Sequence, residues 1–176
     1  SNHLDVTEEG PQSATSMYRD YTKFGKILFP KEVTQLIESV SNNFKPIAEK
    51  NNVELTLYID ESVKPYYINY PLDRIRMQQA FINILKNSME AVSPGDYVHI
   101  KCKADQSNLI IEINNNGPLI NDDLVEKIFN LHVTKKATGS GLGLPLSKSI
   151  IQSHMGDIKI KTVDKETRTI ISLPKF

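Results

Sequence analysis

The stretch from residue 72 to residue 92 is the feature that most limits how this chain can fold. At about 100° per residue its polar side chains fall into one stripe, while most of its other positions are apolar. The stripe consists of Arg76, Gln79, Asn83, Lys86, Asn87 and Glu90. A helix with so much apolar surface must be buried on most sides. Its polar stripe must then either face solvent or line a site.

Two asparagines in the stripe favour a site. Asn is a modest helix former, because its side chain competes for backbone hydrogen bonds, so Asn83 and Asn87 are locally disfavoured in mid-helix. An Asn amide oxygen is also a hard, neutral ligand that suits Mg²⁺, which takes few protein ligands and keeps waters and phosphate oxygens. From this pattern alone, a solvated helix face remains the alternative interpretation.

A glycine-rich segment, Gly139-Ser140-Gly141-Leu142-Gly143, precedes an apolar helix that contains Pro145. Because glycines have no Cβ, their N–H groups can approach an anion closely, and a helix N-terminus adds partial positive charge. The segment therefore predicts a phosphate-binding loop, with a loop that binds no ligand as the alternative. A Rossmann fingerprint needs a buried strand just before it, and residues 132–136 are too polar for one. A P-loop needs Gly-Lys-Ser/Thr, whereas Leu144 follows Gly143 here.

Composition narrows the class of protein further. The 176 residues include 21 Lys and Arg against 21 Asp and Glu, and this balance argues against a surface built to bind nucleic acid. The single cysteine, Cys102, excludes an internal disulfide framework and a Cys-based zinc site, and it suits a reducing compartment. No apolar run reaches the length of a membrane span. We therefore expect a soluble, cytoplasmic domain that holds any anionic ligand by local features.

The periodicity predicts a mixed α+β fold. Helices are expected at 31–50, 72–92, 122–129 and about 142–155, and strands at 53–59, 66–68, 97–104, 109–113, 158–163 and 168–173. Asn121 is a plausible N-cap for the short helix. This order lacks the strict alternation of a doubly wound sheet. It predicts instead a mixed sheet with helices on one face.

Four segments, taken in order, resemble the motifs of sensor histidine kinases. Residues 83–91 (NILKNSMEA) look like the N box, and residues 115–120 (NNGPLI) resemble the first glycine box. Residues 128–135 resemble the F box, and residues 139–144 the second glycine box. The resemblance runs from about residue 31 to the end of the chain. It implies a Bergerat ATP-binding fold, as in gyrase, Hsp90 and MutL: a two-layer α/β sandwich with three main helices on one face of a mixed sheet.

The resemblance also implies ATP and Mg²⁺ as cofactors and a role for each matching residue. Asn87 matches the Mg²⁺ ligand, and Asn83 lies near the expected γ-phosphate. Asn115, in the same box as Gly117, occupies the position of the Asp that binds the adenine amine. The implied phosphate and lid residues are Lys86, Thr134, Lys135, Gly139, Gly141, Leu142, Gly143 and Leu144. The lid between the F box and the second glycine box is short, as in nitrogen-regulatory and sporulation kinases.

Two departures from the family pattern bear on function. Asn115 replaces Asp and Leu119 replaces a glycine of the first glycine box; the lost charge would weaken adenine binding by about 1 kcal/mol. We expect ATP binding to be retained, because the phosphate-binding residues are intact. No phosphoacceptor His on a helix is found. Residues 1–30 would be a tail and the end of a dimerisation-domain helix, and residues 31–176 the ATP-binding domain.

The expected function is that of the catalytic domain of a two-component sensor histidine kinase. It would transfer the γ-phosphate of ATP to a His on a dimerisation domain largely absent from this chain. The expected partners are that domain, a response regulator and, in the full-length protein, a second copy; the parent protein could be membrane-anchored. Two alternatives remain open: a serine kinase of the anti-sigma-factor type, and a degenerate module that docks a partner without catalysis.

Overall fold

A computed structural model describes residues 30–63, 72–130 and 143–174 of the chain. Four α-helices and five strands follow one another in these ranges. The helices are α1 (Pro30–Lys50), α2 (Arg74–Ala91), α3 (Asp122–Lys127) and α4 (Gly143–Ser153). The strands are β1 (Glu54–Ile59), β2 (Tyr97–Ala104), β3 (Asn108–Asn115), β4 (Asp157–Val163) and β5 (Glu166–Pro174), and a short 3₁₀ turn spans Glu61–Val63.

The five strands form one mixed sheet in the order β1-β2-β3-β5-β4. β1 and β2 run parallel, and the other three pairs are antiparallel. β5, the last strand along the chain, therefore lies between β3 and β4. The prediction of a mixed sheet is confirmed.

One face of the sheet is strongly apolar, because most of the strand positions that point to it are hydrophobic. The register aligns Leu57, Ile100 and Ile113 across the first three strands on this face. The same core cluster includes buried side chains of α1, α2 and α4, so these helices cover the apolar face. The opposite face carries cross-strand polar pairs, such as His99 Nε2 with Glu54 Oε1 at 2.8 Å. The predicted two-layer arrangement, with helices on one side, is thus confirmed.

Helix α2 begins at a capping residue and buries most of its surface. The Asp73 Oδ1 atom accepts a hydrogen bond from the Arg76 N–H at 3.1 Å, which satisfies one of the free donors at the helix start. Its buried residues are Met77, Ala80, Phe81, Ile84, Leu85, Ser88 and Met89. The predicted polar stripe is exposed or half-buried along its whole length. Ile75, which the sequence placed among the apolar positions, is instead 79% exposed.

The predicted elements agree with the structure except at their ends. The Asn121 side chain caps α3 by accepting from the Leu124 N–H at 2.9 Å, as expected. Pro46 lies inside α1, and the helix nevertheless continues to Lys50. β5 begins two residues before the predicted start, and α4 ends at Ser153 instead of Met155. The strand expected at 66–68 and the helix end expected before residue 30 lie outside the described residues.

None of the helices in the described ranges is both long enough and apolar enough to cross a membrane.

Candidate functional site

Helices α2 and α4 lie against each other in opposite directions, and two polar contacts show how they are aligned. The His154 Nε2 atom, just after α4, accepts from the Asp73 N–H at the start of α2 at 2.9 Å. The Ser147 hydroxyl, which donates to the Gly143 carbonyl oxygen one turn earlier at 2.8 Å, also lies 3.4 Å from the Ala80 carbonyl oxygen. Ser147 and Ala80 are both small and fully buried, so the helix backbones can approach closely. Seven positions separate the two contacts along each helix, as antiparallel packing requires.

This alignment brings the start of α4 towards the middle of α2. Gly143 is one turn before Ser147, so it is level with the α2 segment that contains Asn83 and Asn87. Both asparagines are half-buried, whereas Lys86 between them is exposed and pairs with Glu90 at 3.9 Å. A Cβ built on Gly143 meets no described atom within 4 Å. The N-terminus of α4 and the asparagines of α2 thus belong to one region of the molecule.

The turn after β3 packs against the end of α2. Asn115, only 3% exposed, accepts a hydrogen bond through Oδ1 from the Gly117 N–H at 3.2 Å. A Cβ on Gly117 would lie 2.5 Å from the Ala91 carbonyl oxygen, so only glycine fits there. Ala91 is one turn beyond Asn87 on the same side of α2. The structure therefore brings Asn115 and Gly117 next to the helix that carries Asn83 and Asn87.

Thr167 is a further polar residue of this region, which the sequence reasoning missed. It pairs directly with Asn115 between β3 and β5, on the helix-covered face of the sheet. Its hydroxyl oxygen is buried and has no hydrogen-bond partner among the described residues. A buried hydroxyl without a partner is costly unless a ligand or water satisfies it. One feature of the sequence could have indicated Thr167. On the strand face that continues as Ile171 and Leu173, the first two positions, Thr167 and Thr169, are polar.

Two more contacts hold the predicted motif segments in place. The Lys148 Nζ atom lies 5.0 Å from the centre of the Phe129 ring, which joins the F-box segment to α4. The Thr162 hydroxyl donates to the Ile120 carbonyl oxygen at 3.1 Å, which joins the end of the first glycine-box segment to β4. Leu144 is half-buried and packs against the core. The remaining predicted site residues, which lie outside the described ranges, are Thr134, Lys135, Gly139, Gly141 and Leu142.

His154 is a structural residue. Its Nε2 accepts from a backbone N–H, so the proton must be on Nδ1, which donates to the Ile150 carbonyl oxygen at 2.7 Å. Burial lowers the pKa of this imidazole below its ordinary value, although the bond to Ile150 acts in the opposite direction. Met155 follows with a left-handed φ of 60°. The turn between α4 and β4 is thus made with methionine in a conformation that favours glycine.

The chemistry available in this region is that of neutral hydrogen-bonding groups. In the described part of the chain, no cluster of three or more His, Cys, Asp or Glu side chains could hold a metal ion. What the region offers is asparagine amides, a threonine hydroxyl and the N–H groups at the start of α4. Such groups suit an anion, or a hard cation that arrives with phosphate oxygens of its own, because Mg²⁺ is usually bound in that way.

Comparison with known proteins identifies the domain. Residues 72–176 match the family model described as histidine kinase-, DNA gyrase B- and HSP90-like ATPase. Sporulation kinase E of Bacillus subtilis (strain 168) is 31% identical over 146 residues, which cover 82% of this chain and 19% of the kinase. Sporulation kinase B of the same organism is 30% identical over 165 residues, covering 93% of this chain and 38% of that protein. The chain thus spans between about a fifth and two fifths of these relatives.

Solved structures agree with this assignment. The catalytic domain of histidine kinase ThkA superimposes with a TM-score of 0.72 at 29% identity, over 81% of this chain and 91% of that one. Histidine kinase ThkA in complex with the response regulator protein TrrA gives 0.69 at 26% identity, over 81% of this chain and 40% of that one. The fold of this domain is that of a histidine kinase catalytic domain, and the resemblance stated from the sequence is confirmed. The chain belongs to the family of histidine kinase-, DNA gyrase B- and HSP90-like ATPases.

Proposed function

We propose that this chain is the ATP-binding catalytic domain of a two-component sensor histidine kinase. In this function it binds ATP with Mg²⁺ and presents the γ-phosphate to a histidine on a separate dimerisation domain. The observation that carries the proposal is the convergence of three segments on one region: the α2 asparagines, the Asn115–Gly117 turn and the N-terminus of α4. Family membership and the similarity to sporulation kinases support the same function.

The phosphates would be held at the junction of α2 and α4. The N–H groups at the start of α4, with the partial positive charge of its N-terminus, would bind phosphate oxygens without a net charge on the protein. Asn87 would contribute one amide oxygen to Mg²⁺, and Asn83 would lie near the γ-phosphate. When bound, Mg²⁺ neutralises charge on the transferring phosphate. The protein itself would mainly position and desolvate the reactants.

The adenine ring of ATP would lie where β3 and β5 meet the end of α2. Asn115 and Thr167 are buried polar residues at that position, and the Thr167 hydroxyl has no partner among the residues that the structure describes. Gly117 supports it by allowing the turn to lie against Ala91. Lys86, together with Thr134, Lys135, Gly139, Gly141, Leu142 and Leu144, would complete the phosphate and lid contacts.

The proposed partners follow from this activity. The acceptor is the dimerisation domain of the same kinase, and the phosphoryl group then passes to a response regulator. The full-length kinase would act as a homodimer, with this domain on the cytoplasmic side if the parent protein is membrane-anchored. Residues 1–30 would contain the end of a dimerisation helix, and residues 31–176 the catalytic domain.

Phosphotransfer to a supplied acceptor tests the proposal. The chain is mixed with the dimerisation domain of its parent kinase, Mg²⁺ and ATP labelled on the γ-phosphate, and acid-labile phosphohistidine is measured. We expect labelling by the wild type and a loss of about 100-fold or more in Asn87→Ala, since a metal ligand acts directly on the transferring group. Asn43→Ala, an exposed asparagine on α1, is the matched control and should keep full activity.

Each alternative outcome has its own signature. Labelling of a serine on a protein substrate, with no labelling of the histidine domain, would indicate a serine kinase of the anti-sigma-factor type. Absence of any ATP binding by calorimetry in the presence of Mg²⁺ would indicate a degenerate docking module and would refute the proposal. Equal transfer by Asn87→Ala and wild type would remove Asn87 from the proposed site.

A further inference from the structure

The Asn115 side chain is held in one orientation. Its Oδ1 atom accepts from the Gly117 N–H at 3.2 Å. Gly117 packs closely against α2, since a Cβ built on it would lie 2.5 Å from the Ala91 carbonyl oxygen, and this packing keeps its N–H beside Asn115. A flipped amide would set the Asn115 NH₂ group against the Gly117 N–H and leave two buried donors facing each other. The Asn115 Oδ1 atom is therefore used in the hydrogen bond from Gly117, and the NH₂ group remains for a ligand.

The free edge of Asn115 is consequently a hydrogen-bond donor. Within the described residues, its NH₂ group makes no hydrogen bond. Beside it, the buried Thr167 hydroxyl also has no partner there and can donate or accept. Together these two residues offer one fixed donor and one adaptable group. A carboxylate in place of the Asn115 amide would offer acceptors only.

The two kinds of purine present opposite patterns at this edge. Adenine has an amino donor at C6 and an acceptor at N1, whereas hypoxanthine and guanine have an acceptor oxygen at C6 and a donor N–H at position 1. An NH₂ group with a neighbouring hydroxyl matches the second pattern, with the amide donating to O6 and the hydroxyl accepting from N1–H. Adenine has no acceptor at C6, so the Asn115 NH₂ group can bond adenine only by donating to N1, with the Thr167 hydroxyl accepting from the C6 amino group. The pair therefore rejects neither kind of purine.

We propose that Asn115 makes this site accept 6-oxopurine nucleoside triphosphates at least as well as ATP. The inference rests on the proposed nucleotide-binding function and names the base specificity of that same site. Asn115 is then the specificity-determining residue, and Thr167 supplies the second contact to the base. Changing Asn115 to Asp should restore a preference for adenine, since the carboxylate can still accept from the Gly117 N–H and offers its other oxygen to the amino group.

A comparison of ITP with ATP tests the contact to the C6 and N1 positions of the purine. The two nucleotides share ribose and triphosphate and differ only at C6 and N1 of the base. Dissociation constants are measured by calorimetry with Mg²⁺ for wild type, Asn115→Asp and the control Asn43→Asp, which makes the same chemical change on the exposed side of α1. We expect wild type to bind ITP as tightly as ATP within about twofold, or more tightly, and Asn115→Asp to shift the ratio about tenfold or more towards ATP.

The possible failures are distinguishable. A wild-type preference for ATP greater than about twofold would overturn the inference and leave the proposed function standing. A ratio that Asn115→Asp does not change would overturn the role of Asn115 as the discriminating residue. Absence of binding for both nucleotides would overturn the proposed function itself. The wild-type ratio is measured without any substitution, so it decides the specificity even if a variant folds poorly.

Discussion

Gly117 lies so close to helix α2 that no side chain fits beside it. We predict that Gly117→Ala lowers the free energy of unfolding by about 1–3 kcal/mol, because the new Cβ would overlap the Ala91 carbonyl oxygen. Urea denaturation at neutral pH measures the loss. Gly143→Ala is the matched control for stability, since its Cβ meets no described atom and alanine favours helix. Equal losses in both variants would contradict the close approach at Gly117.

The buried imidazole of His154 makes stability depend on pH. Its pKa is lowered from 6.5, chiefly by burial, so the unfolded chain binds a proton that the folded chain resists. The contribution of the neutral His154 side chain to the free energy of unfolding is complete above a pH of about 6.5. It declines as the pH falls below that value. Urea denaturation between a pH of about 8 and about 5.5 should show this decline in the wild type.

His154→Gln is the companion variant for this prediction. Glutamine can still accept from the Asp73 N–H but cannot take up a proton in this pH range. The variant should be less stable than wild type at a pH of about 7.5, and its stability should change less with pH below about 6.5. A variant whose pH dependence matches that of the wild type would show that other groups cause the decline.

Some residues of the candidate site could be predicted from the sequence and others could not, for a physical reason. Asn83, Asn87 and Asn115 were found because each belongs to a contiguous motif or a single helix face. Thr167 was missed because its position depends on which strand lies next to β3, and a pairing between strands far apart in sequence leaves no local pattern. The orientation of the Asn115 amide likewise could not be predicted, because it depends on the hydrogen bond from the Gly117 N–H, which only the three-dimensional structure shows.

At the scale of elements, the contact between α2 and α4 depends on small residues. Ser147 is fully buried against Ala80, and a leucine there would force the two helices apart. We predict that Ser147→Leu lowers the free energy of unfolding by about 2 kcal/mol or more and weakens nucleotide binding, because the two sides of the proposed phosphate site separate. Thermal denaturation and calorimetry measure the two effects.

Ser149→Leu provides the control on the same helix. Ser149 is exposed, so the added leucine should change stability by less than about 0.5 kcal/mol. If both leucine variants behave alike, the close packing of α2 against α4 is not what limits stability. A drop in stability for Ser147→Leu with unchanged nucleotide affinity would separate the packing contact from the proposed site.

Elements were more predictable than their arrangement. Helices and strands could be found from periodicity, because one side of each element is buried and the apolar pattern repeats with its geometry. Their ends were less accurate; β5 began earlier than expected, since Glu166 and Thr167 are polar but still pair in the sheet. The position of β5 between β3 and β4 could not be read from local pattern.

For the whole molecule, the reactivity of the single cysteine reports on unfolding of the domain. Cys102 is fully buried in β2, and burial raises the pKa of its thiol to about 12. Because the thiolate is the reactive form and the side chain is inaccessible, a thiol reagent should modify the folded protein orders of magnitude more slowly than the urea-unfolded chain. Bound nucleotide should slow the reaction further, since it stabilises the folded state.

The measurement is the rate of release of a coloured thiol from an aromatic disulfide reagent. Rates that fall in proportion to nucleotide occupancy would support opening of the whole domain as the limiting event. Fast modification of the folded protein would contradict the burial of Cys102. Because the chain contains only one cysteine, the signal needs no further substitutions to assign.

The place of β5 in the sheet also determines when the domain can become stable during synthesis. β3 has only one neighbouring strand, and β4 has none, until residues 166–174 leave the ribosome. Up to that moment the nascent chain exposes the backbone edge of β3 with its apolar side chains, which is a surface prone to wrong pairing. Completion of this fold therefore waits for the synthesis of β5, and chaperones that shield strand edges would act on the chain before β5 arrives.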